Sequence, residues 1–560
     1  MDTLIERPLD AIQDLLAAHA KIPVLSKATQ AALPDRSLVR LRCFVQDNGL
    51  SFEAFPLECN VHHASTGEQL RMRMMYMDAP QHPWELHFDD AAAATAGAGT
   101  TFGEKHPHFC LGTVPAETPW ARGLGAAPTT DDELAGAMAH LAVGERGAAL
   151  FEKLMARKLG CGGSLPSEAH AVVVKTYAET DQLRLHDVVE VVGILEKQPV
   201  EIADEDDLAD YSLFELLPRV HALLVEKLEG VKINPLTRRS AIPGSLSSAF
   251  DVAALREAAI SHIQSSLLGD RLAAEYMLLQ LFSRITSRMS YFPVGYFPLN
   301  LCRAPRSAGF ASNLASALFE LVPHGHLLPM TLGKLNSELW ISPDQTRNAS
   351  SADSDIGLGA GLLQMPTGTV VVVDETQLAT GTLVDRGVRN LQALRNTIQN
   401  AQLMFDLGFG STMERPVDLR FVVVSEGKSM FPDLCTLPLE ADPDAASDAA
   451  AGASAIRDPA TLDAVRALIE FAKAGNPVLS SEMEQRISAE FVDTRAAQRA
   501  SNQVVDDGSQ LLLRLNVAQL LEDARRARLE RLRTSSQAAG PKPAPDPAAG
   551  AAAQARSPSR

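Results

Sequence analysis

The feature that most constrains the fold is a mainly apolar run at successive positions, 369–373, which consists of one Thr and four Val. A strand of this kind has both faces buried, which is typical of a parallel sheet covered by helices on both sides. A second such run lies at residues 419–424, and apolar residues recur at helical spacing in 253–268 and 273–286. The sequence therefore predicts an α/β domain, which we place at residues 210–440.

A different periodicity is found nearer the N-terminus. Apolar and polar residues alternate over residues 38–45, as in a half-buried strand, and strand patterns recur at 171–177 and 187–195. The segment between these groups begins as a stretch rich in Ala, Gly, Thr and Pro, which is typical of a loop. We therefore predict an OB-like β barrel at residues 36–200, interrupted by an insertion around residues 89–165.

The remaining segments are assigned from composition and spacing. Apolar residues from Leu216 to Leu228 stand near helical spacing and predict a helix at the start of the α/β domain. The other assignments are an N-terminal helical segment at 1–35, a linker at 441–458, a helical lid-like domain at 459–535 and a disordered tail at 536–560. The complete prediction is a multidomain α/β plus β protein.

Charge and cysteine usage exclude several classes of protein. The formal net charge of −18 disfavours sequence-independent binding to a phosphate backbone, and we expect no strong direct nucleic-acid binding. No stretch is long and apolar enough for a membrane helix, so no membrane contact is expected. The six cysteines form no CxxC pair, and the Cys and His residues at 59–63 and 106–110 have irregular spacing, so we predict no metal.

Residues 267–276 (LLGDRLAAEY) occupy the place in the chain where a phosphate-binding loop would precede the 369–373 strand. A working loop has the spacing G-x-x-x-x-G-K-[ST], in which Lys neutralises phosphate charge and the hydroxyl holds magnesium. Gly269 fits the first position, but Ala274, Glu275 and Tyr276 stand where Gly, Lys and Ser or Thr are required. We therefore interpret the segment as a vestigial loop that binds no nucleotide and no other cofactor.

Asp374 and Glu375 follow the 369–373 strand directly, in the pattern of a Walker B strand. In an active ATPase the Asp holds the shell of the metal and the Glu polarises the attacking water. A simpler interpretation is that the two acids begin a turn after a buried strand. Likewise, a Gly followed by an Asp before a helix is more often a glycine and an N-cap residue than a former phosphate loop, and Gly269 and Asp270 fit that simpler interpretation.

Several segments in order along the chain resemble the minichromosome maintenance complex-binding protein family. They are residues 216–221 (LLPRVH), 234–236 (NPL), 267–270 (LLGD), 272–276 (LAAEY), 361–366 (GLLQMP), 373–376 (VDET) and 425–429 (SEGKS). The resemblance implies a barrel-like N-terminal part, a degenerate AAA+-like α/β core and a C-terminal helical lid.

The same resemblance implies a function and a location. It implies a non-enzymatic partner of the replicative minichromosome maintenance helicase that binds helicase subunits and supports their stability and assembly. It further implies roles in DNA replication, in helicase unloading and in sister-chromatid cohesion. The expected location is the nucleus, with the cytoplasm left open as a second compartment.

Two other functions remain open at this point, and one basic segment has two interpretations. A divergent AAA+ ATPase would use Asp374 and Glu375 with an unusual phosphate loop. A single-stranded DNA-binding protein would use the OB-like barrel, where Arg40, Arg42 and Phe44 are the available residues. The basic run at 525–533 fits either a nuclear-import signal or a solvated helix face.

Overall fold

The computed structural model describes residues 22–30, 32–78, 80, 84–86, 102–125, 154–160, 170–177, 183–197, 213–229, 232, 251–289, 292–306, 309–343, 357–431, 434–440, 456–474 and 481–500. The predicted N-terminal helix, the disordered tail, most of the linker and the lid beyond residue 500 lie outside these ranges. Among the described residues, no helix is both long and apolar enough to cross a membrane.

The N-terminal part of the described chain is built mainly from strands. In chain order its elements are β1 (Leu38–Asp47), β2 (Glu53–Pro56), β3 (Glu58–His63), β4 (Gln69–Arg73), β5 (Trp84–Leu86), β6 (Phe102–Leu111), α1 (Pro119–Gly125), β7 (Ala171–Thr176), β8 (Val188–Glu196) and β9 (Arg219–Lys227).

Five of these strands close into a barrel, which confirms the predicted barrel. β1 pairs antiparallel with both β8 and β6, and β6 pairs antiparallel with β7. β9 closes the circle, because it pairs parallel with β7 and antiparallel with β8. The interior is filled by alternate apolar side chains, including Val39, Leu41, Cys43, Val45, Val172, Val174, Val189 and Val191.

Gly193 in β8 allows a close approach between two barrel strands. A Cβ at this position would lie 2.4 Å from the carbonyl oxygen of His221 in β9. The β8–β9 register shifts between Val192 and Gly193. A glycine at such an irregularity lets the neighbouring backbone pack closely while the strand continues.

Two of the sequence predictions for this region are wrong. The insertion predicted around residues 89–165 contains β6, which is an integral barrel strand paired on both sides. The helix predicted from Leu216 to Leu228 is instead largely β9. Apolar residues in 219–227 satisfy both a helical and an alternating pattern, and pairing with β7 and β8 selects the strand. The barrel therefore extends beyond residue 200, into the range assigned to the second domain.

The C-terminal part alternates helices with strands. Its elements are α2 (Val252–Ser266), α3 (Arg271–Phe282), β10 (Ser287–Met289), β11 (Phe292–Val294), β12 (Leu299–Cys302), α4 (Phe310–Phe319), β13 (Gly325–Pro329), α5 (Leu332–Ser337), β14 (Ser342–Pro343), β15 (Val370–Asp374), a 3-10 turn (Glu375–Gln377), α6 (Asp385–Asn400), β16 (Gln402–Asp406), β17 (Thr412–Pro416), β18 (Arg420–Val424), β19 (Cys435–Pro438), α7 (Pro459–Ala474) and α8 (Ser481–Ala500).

A five-stranded parallel sheet is the centre of this part, in the order β13-β15-β18-β12-β19. Val370 and Val372 face a core that includes residues of α2, α3, α4 and α7, whereas Val371 and Val373 face a core that includes residues of α6. Both faces of β15 are therefore covered, as the apolar run predicted. The mixed α/β architecture is confirmed.

A buried ion pair lies at the end of β1, where the barrel meets the α/β part. Lys158 Nζ lies 2.7 Å from Asp47 Oδ2 at the end of β1, and neither side chain is more than 3% exposed. The ammonium also lies 4.7 Å and 5.0 Å from the ring centroids of Phe109 and Phe214. The same carboxylate oxygen accepts a hydrogen bond of 2.8 Å from the backbone N–H of Leu358. One charge pair thus holds three separate chain segments together.

Trp120 makes a second junction. Its indole N–H donates to the carbonyl oxygen of Phe319 at 3.0 Å, and the guanidinium carbon of Arg466 lies 4.0 Å from its ring centroid. Arg466, in α7, also donates to the carbonyl oxygen of Glu320 at 2.7 Å. A segment following β6, the end of α4 and helix α7 are therefore fixed against one another.

Candidate functional site

The carboxyl edge of the parallel sheet carries the predicted acid pair. Asp374, the last residue of β15, is only 3% exposed. One of its carboxylate oxygens accepts from the backbone N–H of Thr376 at 3.0 Å and from the Thr376 hydroxyl at 2.6 Å. Asp374 therefore caps the 3-10 turn that follows the strand.

Glu375 is bound to the loop that follows β18. Its Oε1 accepts from the Ser429 hydroxyl at 2.9 Å and from the backbone N–H of Met430 at 3.1 Å. Burial raises the pKa of Glu375, and the two donated hydrogen bonds oppose that shift. The carboxylate is thus used in joining two loops of this edge.

The structure places the predicted phosphate-loop relic away from this acid pair. Gly269, with φ of 86°, lies in the turn between helices α2 and α3, whereas a phosphate loop connects a strand to a helix. Asp270 caps α3 and accepts from the backbone N–H of Glu440, beyond β19. Since β19 is three strands from β15, the turn is separated from Asp374 by about 14 Å of sheet. The prediction that Gly269 lies in a former phosphate loop is therefore wrong.

The other residues of that relic have local roles. Ala274 is fully buried in the core, and Glu275 forms a 3.3 Å ion pair with Arg271 one turn earlier in α3. Tyr276 packs with its ring centroid 6.5 Å from that of Phe297. These are ordinary contacts of a capped, half-buried helix.

A strand–loop–helix connection does occur at an interior strand of the sheet, between β12 and α4, and the sequence patterns did not predict it. When the phosphate-loop spacing is laid over residues 304–311, Phe310 occupies the Lys position and Ala311 the hydroxyl position. Both are buried, with Phe310 only 5% exposed. The only sequence signal would have been a short apolar strand followed by a ten-residue helix, because the loop lacks the glycine-rich pattern.

The first two residues of this connection already have hydrogen-bonded backbone N–H groups. The N–H of Arg303 donates to the carbonyl oxygen of Glu426 at 3.2 Å, and that of Ala304 donates to Ser425 at 3.1 Å. The Ser425 hydroxyl in turn donates to Asn300 Oδ1 at 2.9 Å. These N–H groups are thus taken by the loop after β18, whereas a working phosphate loop directs such groups at its ligand.

A comparison with protein families decides the identity of the chain. The model of the family described as Mini-chromosome maintenance replisome factor matches residues 11–146 and 151–525. The chain belongs to this family. The match spans both the barrel and the parallel sheet, and it confirms the resemblance seen in the sequence.

Curated relatives of the chain carry the name Mini-chromosome maintenance complex-binding protein. One from Danio rerio is 31% identical over 358 residues, covering 59% of this chain and 55% of the relative. One from Homo sapiens is 30% identical over 381 residues, covering 62% and 57%. One from Drosophila melanogaster is 30% identical over 356 residues, covering 59% and 56%. The chain thus spans little more than half the length of these relatives.

In this member of the family, the sheet edge does not fit a magnesium nucleotide. Phe310 supplies no charge to a polyphosphate and Ala311 supplies no ligand to magnesium. A cleft of about 400 Å³ near Glu375 is lined by apolar side chains, among them Leu332, Leu378 and Met430. The acid pair therefore serves to hold the turn after β15 and the loop after β18 in place.

We expect the purified protein to bind magnesium ATP with a Kd above about 1 mM. Loss of the cation alone removes an attraction of about 4 kcal/mol at an effective dielectric constant of 20. Isothermal titration calorimetry measures this directly. Saturable binding in the micromolar range would contradict the assignment of Phe310 to the Lys position.

A second cluster of charged residues lies beside the barrel, where Asp78, Glu196 and His221 bring ligand atoms within 4.8 Å of one another. Among the described residues it is the one group with the donor set for a metal. Asp78, however, already pairs with Lys175 at 2.7 Å and with Arg219 at 3.1 Å, and it also pairs with Lys105. A divalent ion would have to displace these cations, so the cluster does not fit a metal site.

Proposed function

We propose that this chain is a non-enzymatic partner of the mini-chromosome maintenance complex, which binds subunits of that complex and assists their assembly during DNA replication. The family match and the names of the relatives support this partner. The proposal also includes the expected roles in helicase unloading and sister-chromatid cohesion, and a nuclear location with the cytoplasm as a second compartment.

One observation supports the proposal most strongly. The sheet has the strand order of a nucleotide-binding domain, but the positions that would bind phosphate and magnesium are occupied by residues that cannot do so. Numbered along the chain, the strands of the parallel sheet lie in the order 5-1-4-3-2. The acid pair follows the third strand, and the connection with Phe310 and Ala311 follows the first. We interpret this part as a degenerate AAA+-like core, the barrel as OB-like and helices α7 and α8 as part of a lid. A subunit-shaped protein of this kind could hold a helicase subunit without hydrolysing ATP.

The proposal predicts that replacing Glu375 with glutamine leaves partner binding intact. Glutamine keeps an oxygen to accept from Ser429 and Met430, so the loops of the sheet edge should stay joined. We expect the Kd for purified mini-chromosome maintenance complex to change less than about 2-fold, as measured by biolayer interferometry.

ATP hydrolysis and DNA binding provide the discriminating measurements. A divergent ATPase would show turnover in the wild type that the E375Q variant loses. A DNA-binding protein would show salt-dependent affinity for a single-stranded oligonucleotide. Either result, or failure of the wild type to bind the complex, would contradict the proposal.

A further inference from the structure

Phe409 is the most exposed large apolar residue of the described chain, with 89% of its surface accessible. It lies at the tip of the hairpin formed by β16 and β17. Isolated apolar side chains are ordinary on protein surfaces. Phe409 differs because its backbone has a φ of 51°, and its neighbours Gly408 and Gly410 have φ of 80° and 77°. Three successive left-handed residues fix the direction of the chain at this tip.

The loop that presents Phe409 is closed by its own hydrogen bonds. The N–H of Leu407 donates to Ser411 and that of Ser411 donates back to Gly408, each at 2.9 Å. The N–H of Gly408 donates to a carboxylate oxygen of Asp406 at 2.9 Å. The aromatic ring is therefore presented on an ordered turn, which reduces the entropy lost on binding.

The hairpin is attached to helix α6 at its tip end and at its middle. Arg389 forms a 3.1 Å ion pair with Asp406 in β16, and Asn396 donates to Glu414 in β17 at 3.1 Å. A non-glycine residue at positive φ costs on the order of 1 kcal/mol, and an exposed phenyl ring gains nothing from burial. Stability does not account for this arrangement, whereas an intermolecular contact does.

The charges of the hairpin favour a protein as the partner. β16, β17 and their turn carry Asp406 and Glu414 against Arg415, and the whole chain has a net charge of −18. Base stacking on Phe409 would require a basic surface to hold the phosphates, which this hairpin lacks. Aromatic side chains that insert into apolar pockets are typical anchors of protein interfaces.

We propose that Phe409 is an anchor residue that inserts into an apolar pocket of a mini-chromosome maintenance subunit. This inference rests on the proposed function, because it names the contact through which the partner is held. Binding buries the ring, and the ordered turn keeps it in position before the encounter.

The test compares the F409A variant with the wild type and with L272A, a matched control that removes another exposed apolar side chain, 61% accessible in α3. The probe is purified mini-chromosome maintenance complex in biolayer interferometry. We expect F409A to raise Kd at least about 10-fold and L272A less than about 2-fold. Melting temperatures should be unchanged in both variants, because neither side chain is buried.

The outcomes distinguish failure of the anchor proposal from failure of the proposed function. Equal affinity of F409A and wild type would overturn the anchor while leaving the partner established. A loss of affinity equal in F409A and L272A would also overturn it. Absence of wild-type binding would overturn both, and so would an effect of F409A confined to a single-stranded oligonucleotide.

Discussion

Lowering the pH from 7 to 5 is expected to destabilise this protein strongly, because four buried histidines remain neutral in the folded state. Burial lowers the pKa of His108, His170 and His186 to about 4 and that of His324 to about 3. The unfolded chain binds these protons near pH 6.5, so between pH 6.5 and 4 it binds more protons than the folded protein. Stability is therefore independent of these groups above pH 7 and falls as the pH decreases below 6.5.

The expected loss is about 1.4 kcal/mol per histidine for each pH unit below 6.5. At pH 5 each group costs about 2 kcal/mol, and four together approach the whole stability of a typical domain. Glu117 and Glu375 oppose this trend, since burial raises the pKa of both carboxyl groups. Urea denaturation followed by circular dichroism at several pH values measures the result.

His324 offers a matched variant for this prediction. Its Nε2 atom is buried without a hydrogen-bond partner, so replacing His324 with phenylalanine removes a titrating group and no hydrogen bond at that atom. The variant should show a shallower pH dependence, by about one proton, between pH 6.5 and 4. A stability that is constant from pH 7 to 5, or the same slope in both proteins, would contradict the prediction.

Replacing Lys158 with methionine is expected to lower the free energy of unfolding by about 3–5 kcal/mol. The substitution leaves the carboxylate of Asp47 buried without its cation, and only N–H donors such as that of Leu358 remain to stabilise it. Methionine preserves most of the side-chain volume, so the cost reports mainly the lost charge. Chemical denaturation at pH 7.5 provides the measurement.

The matched control is replacement of Lys232 with methionine. Lys232 forms a 3.5 Å ion pair with Glu226 and is 54% exposed. Such a surface pair contributes less than about 1 kcal/mol. A loss below about 1 kcal/mol in K158M, or equal losses in K158M and K232M, would contradict a large stabilising contribution from the buried Lys158–Asp47 pair.

Local sequence patterns predicted those parts of the fold that depend on one-dimensional periodicity. The apolar run before Asp374 and the run that forms β18 correctly indicated buried parallel strands, since strands of a sheet covered by helices on both sides are apolar on both faces. The alternation at β1 and the β-branched residues of β7 and β8 indicated the barrel. Helices α2 and α3 lie where their spacing placed them.

The errors occur where pairing between distant residues decides the structure. β6 contains Gly103 and Pro107 and follows a Gly- and Ala-rich stretch, so nothing local distinguished it from a loop. β9 fits two periodicities, and its neighbours β7 and β8 select one. For the candidate site, the acid pair follows a buried strand as the pattern indicated, but the loop was assigned from a glycine alone. The position of a phosphate loop depends on the order of strands in the sheet, and that order cannot be inferred from local sequence patterns.

The closing strand of the barrel has a consequence for synthesis of the protein on the ribosome. β1 ends at Asp47, whereas β9, which pairs with both β7 and β8, ends at Lys227. At typical elongation rates these points are separated by about 10 to 40 s of translation. Throughout that interval the nascent chain displays strands with unsatisfied edges, which are prone to wrong pairing. We expect this protein to depend on holdase chaperones until Lys227 has left the exit tunnel.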